Sequence, residues 1–348
     1  MGQAINRLTI KGYKSIRNLE NFELRNINIL IGPNGSGKSN FLSFFRLLEE
    51  ISKGEDYLQQ YVKYLGGADK LLYMGSKVTS QAAIRYEVSD GMENFILKAT
   101  TDNKLEYPNL SITDSDTPSN EVFKKKFDIL KQLKKTYRVY HFHDTSDLAG
   151  VKRPCSKRDY EYLRPDGSNL AAFLLFLKKK QKKEYNYICE VIQLAAPFID
   201  DFLLRDSLDN PDETLLEWRQ KGSDYPFHPS QISDGTLRFI CLATVLLQPE
   251  PPSTILLDEP ELGLHPYALT LLAGLIQKAS KRTQVIVSTQ SASLVDQFQP
   301  EDIVVVERKN GESIFKRLNK SDLKVWLDDY SLGELWEMNM FGGRPSHE

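Results

Sequence analysis

A chain of 348 residues with 41% hydrophobic and 26% charged side chains has an ordinary globular composition, enough for one large domain or two. No apolar run reaches the roughly 18 residues of a spanning helix, and MGQAINRLTIKGYK lacks a signal-peptide core, so a cytoplasmic setting with no membrane is expected. Three scattered cysteines (Cys155, Cys189, Cys241) argue against a disulfide framework or zinc site, and the net charge of −2 excludes a uniformly basic or acidic protein.

Residues 4–31 alternate apolar and polar side chains, which predicts strands, with INILI at 27–31 as a buried one. FLSFFRLLEEI at 41–51 has helical spacing. AAIRYEV (82–88) and NFILKA (94–99) flank SDGME and predict a hairpin. Residues 100–120 are polar and turn-rich. From 121 to 200 the pattern turns helical, in VFKKKFDILKQLKK, NLAAFLLFLKKKQKK and YNYICEVIQLAA. Residues 121–183 hold 17 Lys or Arg against 7 Asp or Glu. That basic middle could meet nucleic acid or an acidic partner, although a run such as KKKQKKE also suits a solvated helix face. TLLEWRQ (214–220) reads as a strand. From 231 the order is helix, strand (TILLD), helix (ALTLLAGLIQKA), strand (QVIVST), helix (ASLVDQF), strand (DIVVVE). This alternation predicts a parallel sheet with helices on its faces. The expected division is 1–100, 101–228 and 229–348: a first lobe, a mostly helical insertion, and a second lobe.

GPNGSGKS at 32–39 matches Gly-x4-Gly-Lys-Ser between a buried strand and a helix, the context a phosphate loop needs. Its glycines let backbone N–H groups cradle phosphate oxygens, and the helix mouth adds partial positive charge. Asn34, Gly35, Ser36, Gly37, Lys38, Ser39 and Asn40 are thus candidates for nucleotide binding. Lys38 is suited to the β- and γ-phosphates and Ser39 to magnesium. TILLDEPELGLHP (254–266) ends an apolar strand in two acids. Asp258 is the second candidate magnesium ligand and Glu259 the candidate general base. Gln290 falls at the edge of the QVIVST strand, where its amide could hold a water or the γ-phosphate; a turn role is also open. In QISDGTLRF (231–239), Ser233 is a good N-cap and Gly235 allows close approach of a ligand. Ser233, Asp234 and Gly235 form a second anion-binding mouth in a chain that already has a phosphate loop.

Together these motifs resemble the ABC-type ATPases of the SMC, RecF and OLD-like branch, over about 1–100 and 229–310. Ser-Asp-Gly is similar to that branch's signature motif, ELGLHP to its D-loop, and GYKSIRNLENFELRNINILIGPNGSGKSNFLSFFRLL to its N-terminal lobe. YHFHDTSD (140–147) and YSLGELW (330–336) look like the small stand-alone AAA-family ATPases of bacteria. The resemblance implies an α/β P-loop NTPase of the ABC/RecF-like head type, with an antiparallel β subdomain and a helical lid insertion. It implies ATP and Mg2+ as ligands and a head-to-tail homodimer sandwiching two ATP molecules. The chain departs from the branch at Gln290, where relatives commonly carry His, and in lacking long heptad arms. The Q-loop is not placed, with Gln59, Gln60 and Gln81 as candidates.

The resemblance implies a nucleotide-driven switch in bacterial anti-phage defence, controlling a separate effector such as a Toprim-like nuclease. A RecF-like DNA-repair ATPase, a transporter subunit and a non-hydrolysing scaffold are the alternatives. Two features stay open. His141 and His143, at i and i+2 of an expected strand, could join Asp144 in a metal site or serve as hydrogen-bonding groups. RDYEYLRPDG (158–167) could stack on a base or peptide or be a packed loop.

Overall fold

The computed structural model describes residues 4–88, 91–106, 137–207 and 209–343. The expected helix VFKKKFDILKQLKK and residues 121–136 of the basic stretch lie outside them. In chain order the elements are β1 (Arg7–Tyr13), β2 (Ile16–Glu23), β3 (Ile27–Ile31), α1 (Lys38–Lys53), α2 (Glu55–Tyr64), β4 (Gln81–Val88), β5 (Gly91–Ala99), β6 (Leu105–Glu106) and β7 (Tyr137–Tyr140). Next come β8 (Cys155–Ser156), α3 (Leu170–Lys180), α4 (Lys182–Ala195), β9 (Ile199–Leu203), β10 (Glu213–Thr214), β11 (Glu217–Gln220) and β12 (Pro226–Phe227). The chain continues with α5 (Asp234–Leu247), β13 (Thr254–Asp258), α6 (Pro266–Ala279), β14 (Gln284–Thr289), α7 (Ala292–Val295), β15 (Ile303–Lys309), β16 (Glu312–Arg317), α8 (Lys320–Leu323) and α9 (Leu332–Glu337).

Two compact units result. The first holds Met1–Val139, Pro252–Leu256 and Thr283–Glu348; the second holds Tyr140–Pro251 and Leu257–Arg282. In the first unit, a five-stranded sheet runs in the order β2-β1-β4-β5-β6, its neighbours antiparallel. A six-stranded sheet runs in the order β16-β15-β3-β14-β13-β7. Its centre is parallel: β3 pairs with β14 and β15 in the same direction, whereas β16 returns antiparallel at the edge. Four of the five residues of β3 are buried, and β14 is buried throughout, as strands covered on both faces must be.

Helix α1 forms because its apolar residues fall at helical spacing, and they define the core of this unit. Phe41, Phe44, Phe45, Leu48 and Ile51 are all buried. Tyr13 meets Phe44 edge-on at 5.8 Å, and Phe45 meets Tyr137 at 5.7 Å, the geometry that aromatic quadrupoles favour. This packing fixes the direction in which α1 leaves the phosphate loop.

The second unit is built around α5. From Leu237 to Leu247 every residue of that helix is buried, so it is covered on all sides rather than lying on a surface. Helices α4 and α6 pack on it, and α3 packs on α4. Cys241 lies in this core, and burial pushes its thiol up to about 12, consistent with a packing role. The TLLEWRQ segment forms two strands, β10 and β11, instead of one, because β10 pairs with β8 and β11 with β9 and β12. The ASLVDQF helix is only four residues long.

Candidate functional site

In the first unit the phosphate loop follows β3 directly. Only glycine fits at 32: its φ is +153°, and a Cβ there would stand 2.1 Å from the Val306 carbonyl oxygen of β15. Further along, Ser313 of β16 braces the loop. Its hydroxyl donates to the Ser36 carbonyl at 2.6 Å and lies 2.7 Å from the Ser15 hydroxyl. Asn40 is held by Ser15 as well, at 2.7 Å. Helix α1 starts at Lys38 with no side-chain cap, so its first N–H groups keep their capacity for an anion.

Lys38 is buried, and its ammonium donates to the Gly32 and Pro33 carbonyls at 2.6 and 3.1 Å. The cation is thus folded back along its own loop. Asn34, Gly35 and Ser39 are exposed, whereas Ser36 and Gly37 are buried. The Ser36 hydroxyl is buried without a hydrogen-bond partner. The strand register sets Thr289 of β14 opposite Ile31 of β3, so the turn at Gln290 and the phosphate loop leave the sheet side by side. A cleft of about 550 Å³ joins them, lined by Gly32, Pro33, Asn34, Gln290, Ala292 and Trp336, among others. Trp336 belongs to the YSLGELW motif, for which the sequence reading gave no place in a site.

In the second unit Ser233 caps α5: its hydroxyl accepts from the Thr236 N–H at 3.3 Å. Asp234 is the first residue of the helix and is exposed. Gly235 is required by close approach. A Cβ there would lie 2.1 Å from the Gly263 carbonyl oxygen, so the signature-like turn and the ELGLHP loop pack backbone to backbone. His265 then caps α6 by accepting from the Tyr267 N–H.

Asp258 closes β13, and one of its carboxylate oxygens is buried with no hydrogen-bond partner. A buried orphan acceptor of this kind suits a cation, which tests well against the magnesium expected with ATP. Glu259 adopts φ +42°, a conformation that costs a non-glycine residue about 1–3 kcal/mol. Strain of this order is characteristic of functional turns.

Two groups around Asp258 were read differently from the sequence. His141 and His143 lie beyond the end of β7 at Tyr140, not within a strand. The His143 Nε2 is 2.9 Å from the Asp258 carbonyl oxygen, and the His141 Nδ1 is 3.6 Å from its carboxylate. Both rings therefore face the acid at the end of β13, and among the described residues no set of three ligands gathers for a metal. Arg238 of α5 was missed altogether. Its guanidinium donates to the carbonyls of Phe142 at 2.9 Å, His143 at 3.4 Å, and Leu262. One buried cation thereby ties the signature helix to the histidine segment and to the ELGLHP loop, and burial lowers its pKa from the usual value. An arginine followed by apolar residues carries no sequence signal for that role.

Two of the remaining candidates have partners within the chain. Gln59 is engaged with the backbone of Leu105, donating at 2.6 Å. Tyr160 stacks on Phe176 at 4.7 Å, so RDYEYLRPDG is packed through that ring.

The family model described as "AAA domain, putative AbiEii toxin, Type IV TA system" matches residues 27–296. No curated protein matches the chain. Among solved structures, an SMC head bound to the C-winged helix domain of ScpA matches with a TM-score of 0.63 at 19% identity, over 91% of this chain and 99% of that one. An SMC head from Pyrococcus furiosus, with an extended coiled coil and the C-terminal domain of ScpA, gives 0.59 at 18% identity, over 94% and 99%. The SMC head of Pyrococcus yayanosii, with a coiled coil and joint, gives 0.54 at 14% identity, over 94% and 99%. At these identities the likeness is one of fold. The chain belongs to this AAA-domain family and has the P-loop, ABC-type ATPase fold of an SMC head.

Proposed function

We propose that the chain binds and hydrolyses ATP, and that two copies close head to tail around two nucleotides. The observation that carries the proposal is the contact of Gly235 with the Gly263 carbonyl. It builds a shaped face from the signature-like turn and the ELGLHP loop, in a chain that has its own phosphate loop. A second helix mouth can take a second anion, and the simplest source is the nucleotide of another copy.

In this reading Asn34 to Asn40 cradle the phosphates, with Lys38 as their cation. Ser39 and Asp258 hold magnesium, which supplies charge neutralisation at the β- and γ-phosphates. Glu259 takes the proton of the attacking water, and Gln290 donates a hydrogen bond to that water or to the γ-phosphate. Ser233, Asp234 and Gly235 face the nucleotide of the other copy.

The switch is proposed to act in bacterial anti-phage defence, through a separate effector protein such as a nuclease. The family description, which names a toxin and a toxin–antitoxin system, supports that setting. Two of the SMC heads it resembles were solved with a ScpA domain bound, which supports a protein partner for this chain.

Magnesium-dependent phosphate release is expected to rise more steeply than linearly with protein concentration at low concentration, since each complete site needs two copies. Strict proportionality from the lowest concentration upward would show that one copy suffices and contradict the shared site.

A further inference from the structure

We propose that Lys152 is the cation that the signature face presents to the γ-phosphate of a nucleotide held by a second copy of the chain. The proposal rests on the shared-site reading above.

Lys152 ends a single turn of 3-10 helix, Gly150–Lys152, whose Gly150 is pressed against Ser168: a Cβ at 150 would lie 2.7 Å from that side chain. The turn is thereby held in place. The lysine itself is 6% exposed, although it carries a charge that burial penalises. Its ammonium stands 3.8 Å from the Asp234 carboxylate and 3.9 Å from that of Asp147. Both separations exceed the roughly 2.7–2.9 Å of a charge-assisted hydrogen bond. Both carboxylates are largely in water, at 65% and 88% exposure, where screening leaves little pairing energy. Among the described residues, these two ion pairs are the contacts of the ammonium, and it makes no hydrogen bond to the chain.

The position of the ammonium points to a use for it. Asp234 is the first residue of α5, so Lys152 reaches the rim of the mouth whose N–H groups suit an anion. A lysine serving only to fill space could be replaced by Met at lower desolvation cost. A lysine serving only as an ion-pair partner would approach a carboxylate more closely. An anion entering the mouth offers the ammonium the acceptors that the chain does not provide, in exchange for two long contacts. A terminal phosphate is such an anion, and the chain's own phosphate loop belongs to the opposite face of the proposed pair.

The test mixes two variants. Lys152→Met alone is expected to lose about 10³-fold in turnover, the lower end of what a cation supplied in trans contributes. ATP binding by the single chain should be unchanged. Mixed with Glu259→Gln, it can form a dimer in which one site has both Glu259 and Lys152, each from a different copy. Turnover of the equimolar mixture is expected to recover to about a quarter of the wild-type rate, because half of random pairs are mixed and each has one complete site. Lys152→Arg should restore part of the activity without mixing. No recovery in a mixture whose mass shows ATP-bound dimers would place Lys152 in its own chain's site and overturn the proposal. If Glu259→Gln alone fails to dimerise with ATP, the shared-site reading fails first, and this proposal with it. Should Lys152→Met melt early, Lys152→Gln, which is shorter but keeps a polar end, repeats the experiment.

Discussion

Glu259→Gln is expected to lower ATP turnover by about 10²- to 10⁴-fold while ATP binding stays close to wild type. The substitution keeps the shape of the side chain and removes its charge and its capacity to take a proton. The turn around it should survive, because the Glu259 carbonyl, which accepts from the Leu262 N–H at 3.3 Å, belongs to the backbone. Its positive φ of +42° is a feature of the backbone, which the substitution leaves unchanged. Phosphate release measures the loss, and titration with a fluorescent ATP analogue measures the retained binding. A variant that keeps turnover within about 10-fold of wild type would mean that another group activates the water.

Lys38→Ala is expected to act earlier, on binding. The ammonium is buried and donates to two loop carbonyls, at 2.6 and 3.1 Å, so its loss removes a charge and both of those hydrogen bonds. Truncating a buried, hydrogen-bonded charge costs about 2–5 kcal/mol, which is about 30- to 5,000-fold in ATP affinity. The loop itself should persist, since Ser313 holds it through the Ser36 carbonyl and α1 is anchored by Phe41, Phe44 and Phe45. Calorimetric titration with ATP and magnesium checks the result. Unchanged affinity would reduce Lys38 to a brace for its own loop.

The local rules made much of this legible beforehand. The phosphate loop, β3 and α1 follow from a glycine pattern set between a buried strand and an amphipathic helix. The capping of α5 by Ser233 follows from a small polar residue before an apolar run. Those signals are short-range. What escaped depends on contacts distant in sequence. Arg238 reaches Phe142, His143 and Leu262, and nothing near it in the chain announces those partners. The YHFHDTSD histidines looked like strand residues, because aromatic alternation is the only pattern available there. Their bonds to Asp258 span more than a hundred residues. Similarly, β16 was not expected, because an exposed antiparallel edge strand has weak apolar alternation; it is defined by pairing with β15.

The contact between Gly235 and Gly263 has the same character. A glycine in a signature-like motif signals close approach, but not what approaches. In the structure the neighbour is the backbone of the ELGLHP loop, so two motifs that were read separately form one face.

The solution mass of Glu259→Gln, measured by light scattering with and without ATP and magnesium, tests the central claim most directly. The account predicts one copy without nucleotide and two copies with it. It also predicts that adding Ser233→Arg, which places a bulky cation at the mouth of α5, abolishes the change. A mass that ATP leaves unaltered in Glu259→Gln, in a protein that still binds ATP, would contradict closure of two copies around shared nucleotides.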